Sequence, residues 1–355
     1  MLKNFENRSG YIWLDGKFVR WNKAKIHVLT HGLHYASCVF EGARIYKGKI
    51  FKLKEHTKRL FFSSKILGFK LPYTEKTINK ACEQIIKKQN VDIVVVGPEQ
   101  PLVDGLADFL EEKCHAVFGP RKQAAMLEGS KEFAKDFMKR HDIPTAGYEV
   151  FSQDEFDRAA EYIIEKGSYP VVLKADGLAG GKGVLIPENE ADAISALEEL
   201  QEGSLGDAAS RLVIEEFMEG EEASVFAICD GDSYKVIGNA QDHKRIGEGD
   251  TGLNTGGMGA YSPAPIVTKE LLKRVESEII QPTIEGMKSE GNPYQGILYV
   301  GLMITKEGPK VVEYNCRFGD PECQVIVPAM RSDLLDVIIS CTEGRLSETD
   351  IELDD

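Results

Sequence analysis

The sequence lacks any hydrophobic run long enough to cross a membrane, and its first residues show no apolar signal region. Its seven cysteines are scattered and none forms a CxxC pair, which argues against structural zinc and against a disulfide framework. These absences predict a reduced, cytoplasmic protein with no membrane partner. At 355 residues the chain exceeds one hydrophobic core, so two or three domains are expected.

Charge is divided unevenly along the chain. Residues 1–90 hold 19 Lys and Arg against 6 Asp and Glu, a balance of +13, which leaves −27 for the remainder given the net charge of −14. A basic half can indicate nucleic-acid binding. Here the lysines fall beside predicted strands and along amphipathic helices, so a solvated face is favoured and no nucleic-acid partner is expected.

The most informative stretch is rich in glycine and lies between two short apolar runs, residues 170–173 and 184–186. This pattern predicts a β-hairpin. Its glycines let backbone N–H groups approach an anion closely, and a lysine at each end, Lys174 and Lys182, supplies positive charge. A mobile lid over nucleotide phosphates is one interpretation, and a flexible surface hairpin is the other.

The predicted elements change character near residue 91. Before it, hairpins over 11–20 and 43–53 and helices over 54–67 and 74–89 indicate an α+β segment. After it, a strand at 91–96, a helix over 102–112 and a strand at 115–118 indicate a piece of an open α/β sheet, whose ligands bind at the carboxyl ends of strands.

The rest of the chain alternates predicted helices and strands. Ser130 is expected to cap a helix over 131–140, and the glycine-rich residues 247–259 are expected to form a long irregular loop. The other expected elements are helices at 154–166, 188–202 and 268–289 and strands at 211–214, 225–229, 234–238, 297–304 and 310–314.

Four segments near the amino terminus carry a first family resemblance: Trp13-Leu14-Asp15-Gly16, His31-Gly32-Leu33-His34-Tyr35, Phe40-Glu41-Gly42 and His56-Thr57-Lys58-Arg59-Leu60. Through them, residues 10–88 resemble the N-terminal part of branched-chain amino acid aminotransferases, which use pyridoxal phosphate (PLP). The resemblance implies that Arg59 would hold the cofactor phosphate and that Tyr35 and Phe40 would line a pocket.

That chemistry also needs a Schiff-base lysine, and nothing after Asn90 resembles the domain that carries it. Residues 1–90 are therefore expected to be a structural or dimerising fragment of a monomer or homodimer, and PLP is not expected to bind.

Six ordered motifs carry a second resemblance, and these are Val96-Gly97-Pro98-Glu99, Leu127-Glu128-Gly129-Ser130-Lys131, Lys174 to Ala179 with Gly181-Lys182-Gly183, Gln241 to Arg245, Asn254 to Ser262, and Glu313 to Glu322. Through them, residues 91–340 resemble phosphoribosylamine–glycine ligases, a family of ATP-grasp enzymes. The resemblance implies ATP-dependent ligation of glycine to 5-phosphoribosylamine through a glycyl phosphate, with Mg²⁺ or Mn²⁺. The expected partners are these two small molecules.

The expected fold combines α/β and α+β parts, with an ATP-grasp core preceded by a partial open sheet and the aminotransferase-like segment. The expected divisions are an aminotransferase-like fragment at 1–90, a remnant of the ligase N-terminal domain at 91–125, an ATP-grasp domain at 126–340 with a lid at about 145–220, and an acidic tail at 341–355. The family's first glycine-rich loop and its C-terminal domain have no counterpart here. The first alternative is therefore a chain that binds ATP and metal without completing ligation, and the second is a PLP-dependent branched-chain aminotransferase.

The candidate site residues follow from the resemblance together with residue chemistry. Glu313 and Asn315 alternate along a predicted strand, so their oxygens can share a metal, and Arg317 can stabilise the transferring phosphoryl group. Asp242 suits the ammonium of glycine, and with Arg317 and Lys174 it forms the expected catalytic set. The residues expected to bind nucleotide are Lys135, Lys174, Gly181, Lys182, Gly183, Glu215, Glu216, Phe217, Met218 and Glu222. Those expected to bind substrate are Gly97, Pro98, Glu99, Lys244, Asn254, Gly256, Gly257 and Asp320.

Overall fold

The computed structural model describes residues 10–27, 30, 39, 41–42, 45–46, 49–50, 52–68, 70–88, 93–112, 116–177, 183–201, 211–248 and 251–354. The chain forms two compact units, an N-terminal unit, Met1–Asp92, and a C-terminal unit, Ile93–Asp355. None of the helices within the described ranges is both long and apolar enough to cross a membrane.

The N-terminal unit contains two short hairpins and two helices. Its elements are β1 (Tyr11–Leu14), β2 (Lys17–Arg20), β3 (Ile45–Tyr46), β4 (Lys49–Ile50), α1 (Leu53–Ile66) and α2 (Glu75–Lys88). Asp15 and Gly16 turn between β1 and β2 with positive φ, as the Asp-Gly signal predicts. The ring of Trp13 packs edge-on against Tyr73 with centroids 4.8 Å apart. Both helices lie within two residues of their predicted bounds.

A small α/β layer begins the C-terminal unit. Its elements are β5 (Ile93–Val95), α3 (Glu99–Val103), α4 (Leu106–Glu111), β6 (Ala116–Phe118), α5 (Lys122–Gly129) and α6 (Lys131–Arg140). Strands β5 and β6 pair in parallel, as the apolar runs predict. The first strand is not fully buried, because Val95 is 48% exposed. Ser130 caps α6 by accepting the Phe133 N–H, as expected.

The glycine hairpin belongs to a four-stranded antiparallel sheet in the order β7-β10-β8-β9. Its strands are β7 (Tyr148–Ser152), β8 (Val171–Ala175), β9 (Val184–Leu185) and β10 (Arg211–Glu216), and its helices are α7 (Phe156–Lys166) and α8 (Glu190–Gln201). The apolar faces of both helices pack on Leu173, Leu212 and Ile214. The hairpin prediction is confirmed, and its tip, residues 178–182, lies outside the described residues.

A five-stranded antiparallel sheet in the order β13-β12-β11-β14-β15 forms the second layer. Its strands are β11 (Glu221–Asp230), β12 (Tyr234–Gly247), β13 (Thr251–Tyr261), β14 (Gln295–Thr305) and β15 (Gly308–Asn315). The helices that follow in this unit are α9 (Lys269–Val275), α10 (Gln281–Ser289), α11 (Cys323–Ile326) and α12 (Leu334–Thr342). Most residues of β11 and β14 are buried, which places the core at the centre of the sheet.

The expected irregular loop at 247–259 was wrong, because most of it is strand β13. This strand pairs with β12, and two register shifts accommodate the glycines. A glycine-rich segment has low strand propensity in isolation, but an adjacent strand that supplies backbone partners overrides that preference.

Candidate active site

A buried ion cluster joins the two sheets of the C-terminal unit. The Glu215 carboxylate lies 2.8 Å from Lys135 Nζ through Oε2 and 2.9 Å from Lys174 Nζ through Oε1. All three residues are buried, with exposed fractions of 2% for Lys135, 6% for Lys174 and 3% for Glu215. Lys174 and Glu215 come from neighbouring strands, β8 and β10, while Lys135 comes from α6. Two lysines share one carboxylate, so the cluster has an excess positive charge suited to an anion.

Burial lowers the pKa of Lys135 to about 8, because Glu215 offsets only part of the desolvation and Lys174 adds repulsion. The oxygen that faces Lys174, Glu215 Oε1, is buried and makes no hydrogen bond within the described residues, although it lies at ion-pair distance. The cluster is therefore incompletely compensated in both charge and hydrogen bonding.

Both lysines are tied to the backbone of β15. Lys135 Nζ donates to Thr145 Oγ1 at 2.8 Å, and Thr145 Oγ1 donates to the Val311 carbonyl at 2.7 Å. Lys174 Nζ donates to the carbonyl of Val312 at 3.2 Å. These contacts hold the ammonium groups against β15, the strand that also carries Glu313.

A third lysine, Lys131, was given no role by sequence reasoning. Its Nζ donates to the Gly177 carbonyl at 3.0 Å, at the base of the glycine hairpin. Burial lowers the pKa of Lys131, while the negative charges of Glu313 and Asp176 oppose that shift. The Asp176 carboxylate itself accepts the Glu132 N–H and the Ser130 hydroxyl at the start of α6. The motif that contains Lys131 was the available signal.

Glu313 and Asn315 lie on one face of β15, while Tyr314 between them is buried on the other. Glu313 is exposed and Asn315 half-buried, and both offer the hard oxygen ligands that Mg²⁺ and Mn²⁺ accept. No set of three His, Cys, Asp or Glu side chains within the described ranges could hold a metal by itself. A metal here would therefore need further oxygens, such as those of nucleotide phosphates.

Arg317 follows β15 and is held from two sides. Its Nε donates to Glu99 Oε2 at 3.0 Å, and its Nη2 lies 3.3 Å from Glu128 Oε1. Nη2 also donates to Asn315 Oδ1 at 3.3 Å. Burial raises the pKa of Glu128, against the opposing charge of Arg317. Sequence reasoning singled out Arg317 and Glu99 but not Glu128.

Lys244 lies among carboxylates next to β15. Its Nζ is 2.8 Å from Glu222 Oε2 and 4.0 Å from Asp242 Oδ1. Burial alone would lower the pKa of Lys244, but Glu222, Tyr299 and Asp242 raise it above its usual value. Burial raises the pKa of Asp242. A small pocket is lined by Glu222, Lys244, Tyr299 and Glu313, so the predicted substrate, nucleotide and metal residues meet there.

A buried polar chain that no sequence pattern predicts begins at two residues of the pocket lining, Ser224 and Tyr299. Ser224 Oγ donates to Tyr299 Oη at 2.7 Å, and Tyr299 Oη donates to Glu322 Oε1 at 3.3 Å. Burial raises the pKa of Glu322. Glu322 ends the last of the six motifs, whereas no local pattern marks Ser224 or Tyr299.

Four consecutive residues expected to bind nucleotide, 215–218, span the end of β10 and the two positions after it. Glu216 and Phe217 are exposed and Met218 is half-buried, whereas the Glu215 side chain points into the lysine cluster. The Glu216 N–H donates to the Gly147 carbonyl at 2.9 Å.

Other expected residues are placed as follows. Gly97 and Pro98 follow the carboxyl end of β5. Asn254, Gly256 and Gly257 lie on β13, where Asn254 pairs with Arg245 of β12. Gly257 packs against Pro321 with a positive φ. Asp320 accepts a hydrogen bond from Gln324, and the Gly183 carbonyl accepts the Ala175 N–H. Gly181 and Lys182 lie outside the described residues.

In the N-terminal unit, Arg59 is bound by a carboxylate. Glu41 accepts Arg59 Nε at 2.6 Å and Nη2 at 2.7 Å, and His56 Nδ1 lies 2.9 Å from Glu41. Tyr35 and Phe40, which the aminotransferase resemblance places in a pocket, are outside the described residues.

Two family models match the chain. The model described as phosphoribosylglycinamide synthetase, ATP-grasp (A) domain, matches residues 129–323, more than half of the chain. The N domain of the same synthetase matches residues 50–128 and so begins inside the segment expected to be aminotransferase-like. The aminotransferase hypothesis gains no support from these matches.

Individual proteins named phosphoribosylamine–glycine ligase are also similar. That of Chlorobaculum tepidum is 51% identical over 271 residues, 76% of this chain and 63% of the relative. That of Brucella melitensis is 51% identical over 269 residues, 76% of this chain and 62% of the relative. The crystal structure of the Thermotoga maritima ligase superposes with a TM-score of 0.64 at 35% identity, covering 82% of this chain and 70% of that one. The chain thus spans less than two thirds of the length of these curated relatives.

Proposed function

Because the chain belongs to the phosphoribosylglycinamide synthetase family, with an ATP-grasp domain, we propose that it ligates glycine to 5-phosphoribosylamine. The reaction consumes ATP and yields glycinamide ribonucleotide, ADP and phosphate. The glycine carboxylate is phosphorylated first, and the amine of phosphoribosylamine then displaces phosphate from the glycyl phosphate.

The buried Lys135–Glu215–Lys174 cluster carries the proposal. Its excess positive charge lies beside β15, where Glu313 and Asn315 would hold Mg²⁺ or Mn²⁺. When bound, the metal would neutralise phosphate charge. The lysines would orient the triphosphate, and Arg317 would stabilise charge on the transferring phosphoryl group.

Glycine would bind near Asp242 and Lys244. Asp242 is a carboxylate in reach of an ammonium group, and Lys244 is a cation in reach of a carboxylate or phosphate. Glu99, another residue expected to bind substrate, accepts a hydrogen bond from Arg317. We assign Glu222 to the ribose hydroxyls and residues 215–218 to the adenine by the family resemblance.

The test is phosphate release from ATP and Mg²⁺ with glycine alone, with phosphoribosylamine generated in situ, and with both. Release that requires both substrates, together with glycinamide ribonucleotide by mass spectrometry, supports the proposal. ATP binding without such turnover would contradict it and favour a nucleotide-binding chain that does not ligate.

A matched pair of variants localises the activity. Lys174→Met keeps the length of the side chain but removes its charge, so ATP binding should weaken at least about tenfold. Lys269→Met, at an exposed position on α9, should behave as the unchanged chain. Equal ATP affinity in both variants would contradict the site assignment.

A further inference from the structure

Glu128, near the end of α5, reaches across to the segment that follows β15. Its Oε2 accepts the Cys316 N–H at 2.7 Å and lies 3.0 Å from Cys316 Sγ, while Oε1 lies 3.3 Å from Arg317 Nη2. Its side chain is only 7% exposed. One carboxylate therefore holds both the backbone at residue 316 and the guanidinium at residue 317.

This two-point contact limits how Arg317 can move. A guanidinium on a flexible stem has many orientations, and each contact removes some of them. Glu99 holds Nε and Glu128 faces Nη2, so the planar group is fixed on two edges. In that orientation Nη2 also reaches Asn315 Oδ1, on the face of β15 that carries Glu313.

A buried carboxylate is a costly way to fill space. Removing its charge from water carries a penalty that one arginine at 3.3 Å repays only in part. A residue needed only for packing could be apolar at this position. The charge is explained by what it orients.

We propose that Glu128 is a positioning residue for the phosphoryl-transfer step and holds the Arg317 guanidinium beside Asn315. The inference rests on the proposed function. Within the part of the chain that the structure describes, Glu128 makes no hydrogen bond or ion pair with the Lys135–Glu215–Lys174 cluster, so its loss should slow the reaction without weakening ATP binding.

The experiment compares Glu128→Gln, Glu128→Asp and Glu111→Gln in the full chain, by steady-state phosphate release and by ATP affinity. Gln can still accept the Cys316 N–H but carries no charge, so kcat should fall roughly 10–100-fold, as for other residues that orient a reactive group. KM for ATP should stay within about twofold. Asp keeps the charge and should recover part of kcat. Glu111, which pairs with Arg121 at an outer position, is the matched control and should leave kcat unchanged.

Unchanged kcat in Glu128→Gln, or a fall in kcat accompanied by an equal loss of ATP affinity in both Glu128 variants, would overturn the inference. If Glu128→Gln fails to fold and so loses ATP binding, Glu128→Asp provides the test of the inference. The quantity compared is then its kcat, at an unchanged KM for ATP. Absence of phosphate release from the unmodified chain would instead refute the proposed function, and the inference with it.

Discussion

Gly220 lies directly against the backbone of Ile304, so that any side chain at position 220 would overlap the Ile304 carbonyl group. Because the obstacle is the backbone of strand β14 and not a side chain, it cannot rotate away. Gly220 lies two residues after the segment 215–218, which is expected to bind nucleotide, and directly before β11. The close approach of the Gly220 and Ile304 backbones therefore fixes where the chain passes from that segment into β11.

Gly220→Ala should lower the free energy of unfolding by about 1–3 kcal/mol, as overpacking does, and should also weaken ATP binding. Urea denaturation and equilibrium ATP binding measure the two effects. Gly259→Ala is the stability control, because a Cβ there meets no atom within 4 Å. Equal stability of the two variants would contradict the assigned overlap.

ATP affinity should fall as the pH rises through about 8, because Lys135 loses its proton there and with it the attraction for phosphate. Titrations between pH 6.5 and 9.5 would be run on the parent chain and on Lys135→Met, with a flat profile above neutrality expected only in the variant. The same slope in both proteins would assign the pH dependence to another group.

The same lysine should reduce stability at neutral pH. Its pKa is lower in the folded state than the ordinary 10.5, so the folded state binds fewer protons between about pH 8 and 10.5. The contribution of Lys135 to the free energy of unfolding therefore rises with pH across that interval. Below the interval the lysine is charged in the folded state, and burying that charge lowers the free energy of unfolding. Lys135→Met should accordingly be at least as stable as the parent at pH 7, by urea denaturation, while binding ATP less tightly. A clear loss of stability at pH 7 would contradict the sign of this argument.

Lys131→Met should raise KM for ATP, because the Lys131 ammonium lies at the base of the glycine hairpin next to the lysine cluster. We expect an increase of about three- to tenfold, smaller than for a lysine inside the cluster. Lys269→Met again serves as the control, and an unchanged KM in Lys131→Met would restrict Lys131 to holding Gly177.

Glu313→Gln should remove most metal-dependent turnover, because an amide is a weaker ligand for Mg²⁺ than a carboxylate. Turnover as a function of Mg²⁺ concentration is the measurement, and the required concentration should rise by at least about tenfold. Glu307→Gln, at the exposed turn before β15, is the matched control. A Mg²⁺ dependence equal in the two variants would exclude Glu313 as a metal ligand.

Local signals in the sequence predicted local structure well. Ser130 was recognisable as a cap, and the alternation of Glu313 and Asn315 placed them on one face of a strand, because both depend on residues a few positions apart. Strand β13 was missed because its pairing with β12 outweighs the low strand propensity of glycine.

The site residues that sequence reasoning missed depend on distant contacts. Glu128 meets residues 188 or more positions further along the chain, and Lys131 meets Gly177 across 46 positions. No periodicity in one sequence encodes such distances. Glu215 was expected among the nucleotide-binding residues, but its carboxylate lies between two lysines. This arrangement also depends on distant contacts, because it forms only where β8, β10 and α6 meet.

That carboxylate acts as a resident counter-anion. Without it, two ammonium groups brought together in a buried site would repel each other and spread apart. With it, the two ammonium groups are already held together and their side-chain entropy is already lost, so a nucleotide bound as proposed would meet a preassembled site. Under the proposed function, the same carboxylate would compete with the incoming phosphates for those charges. Glu215 would then both prepare the site and limit how tightly it holds ATP or ADP.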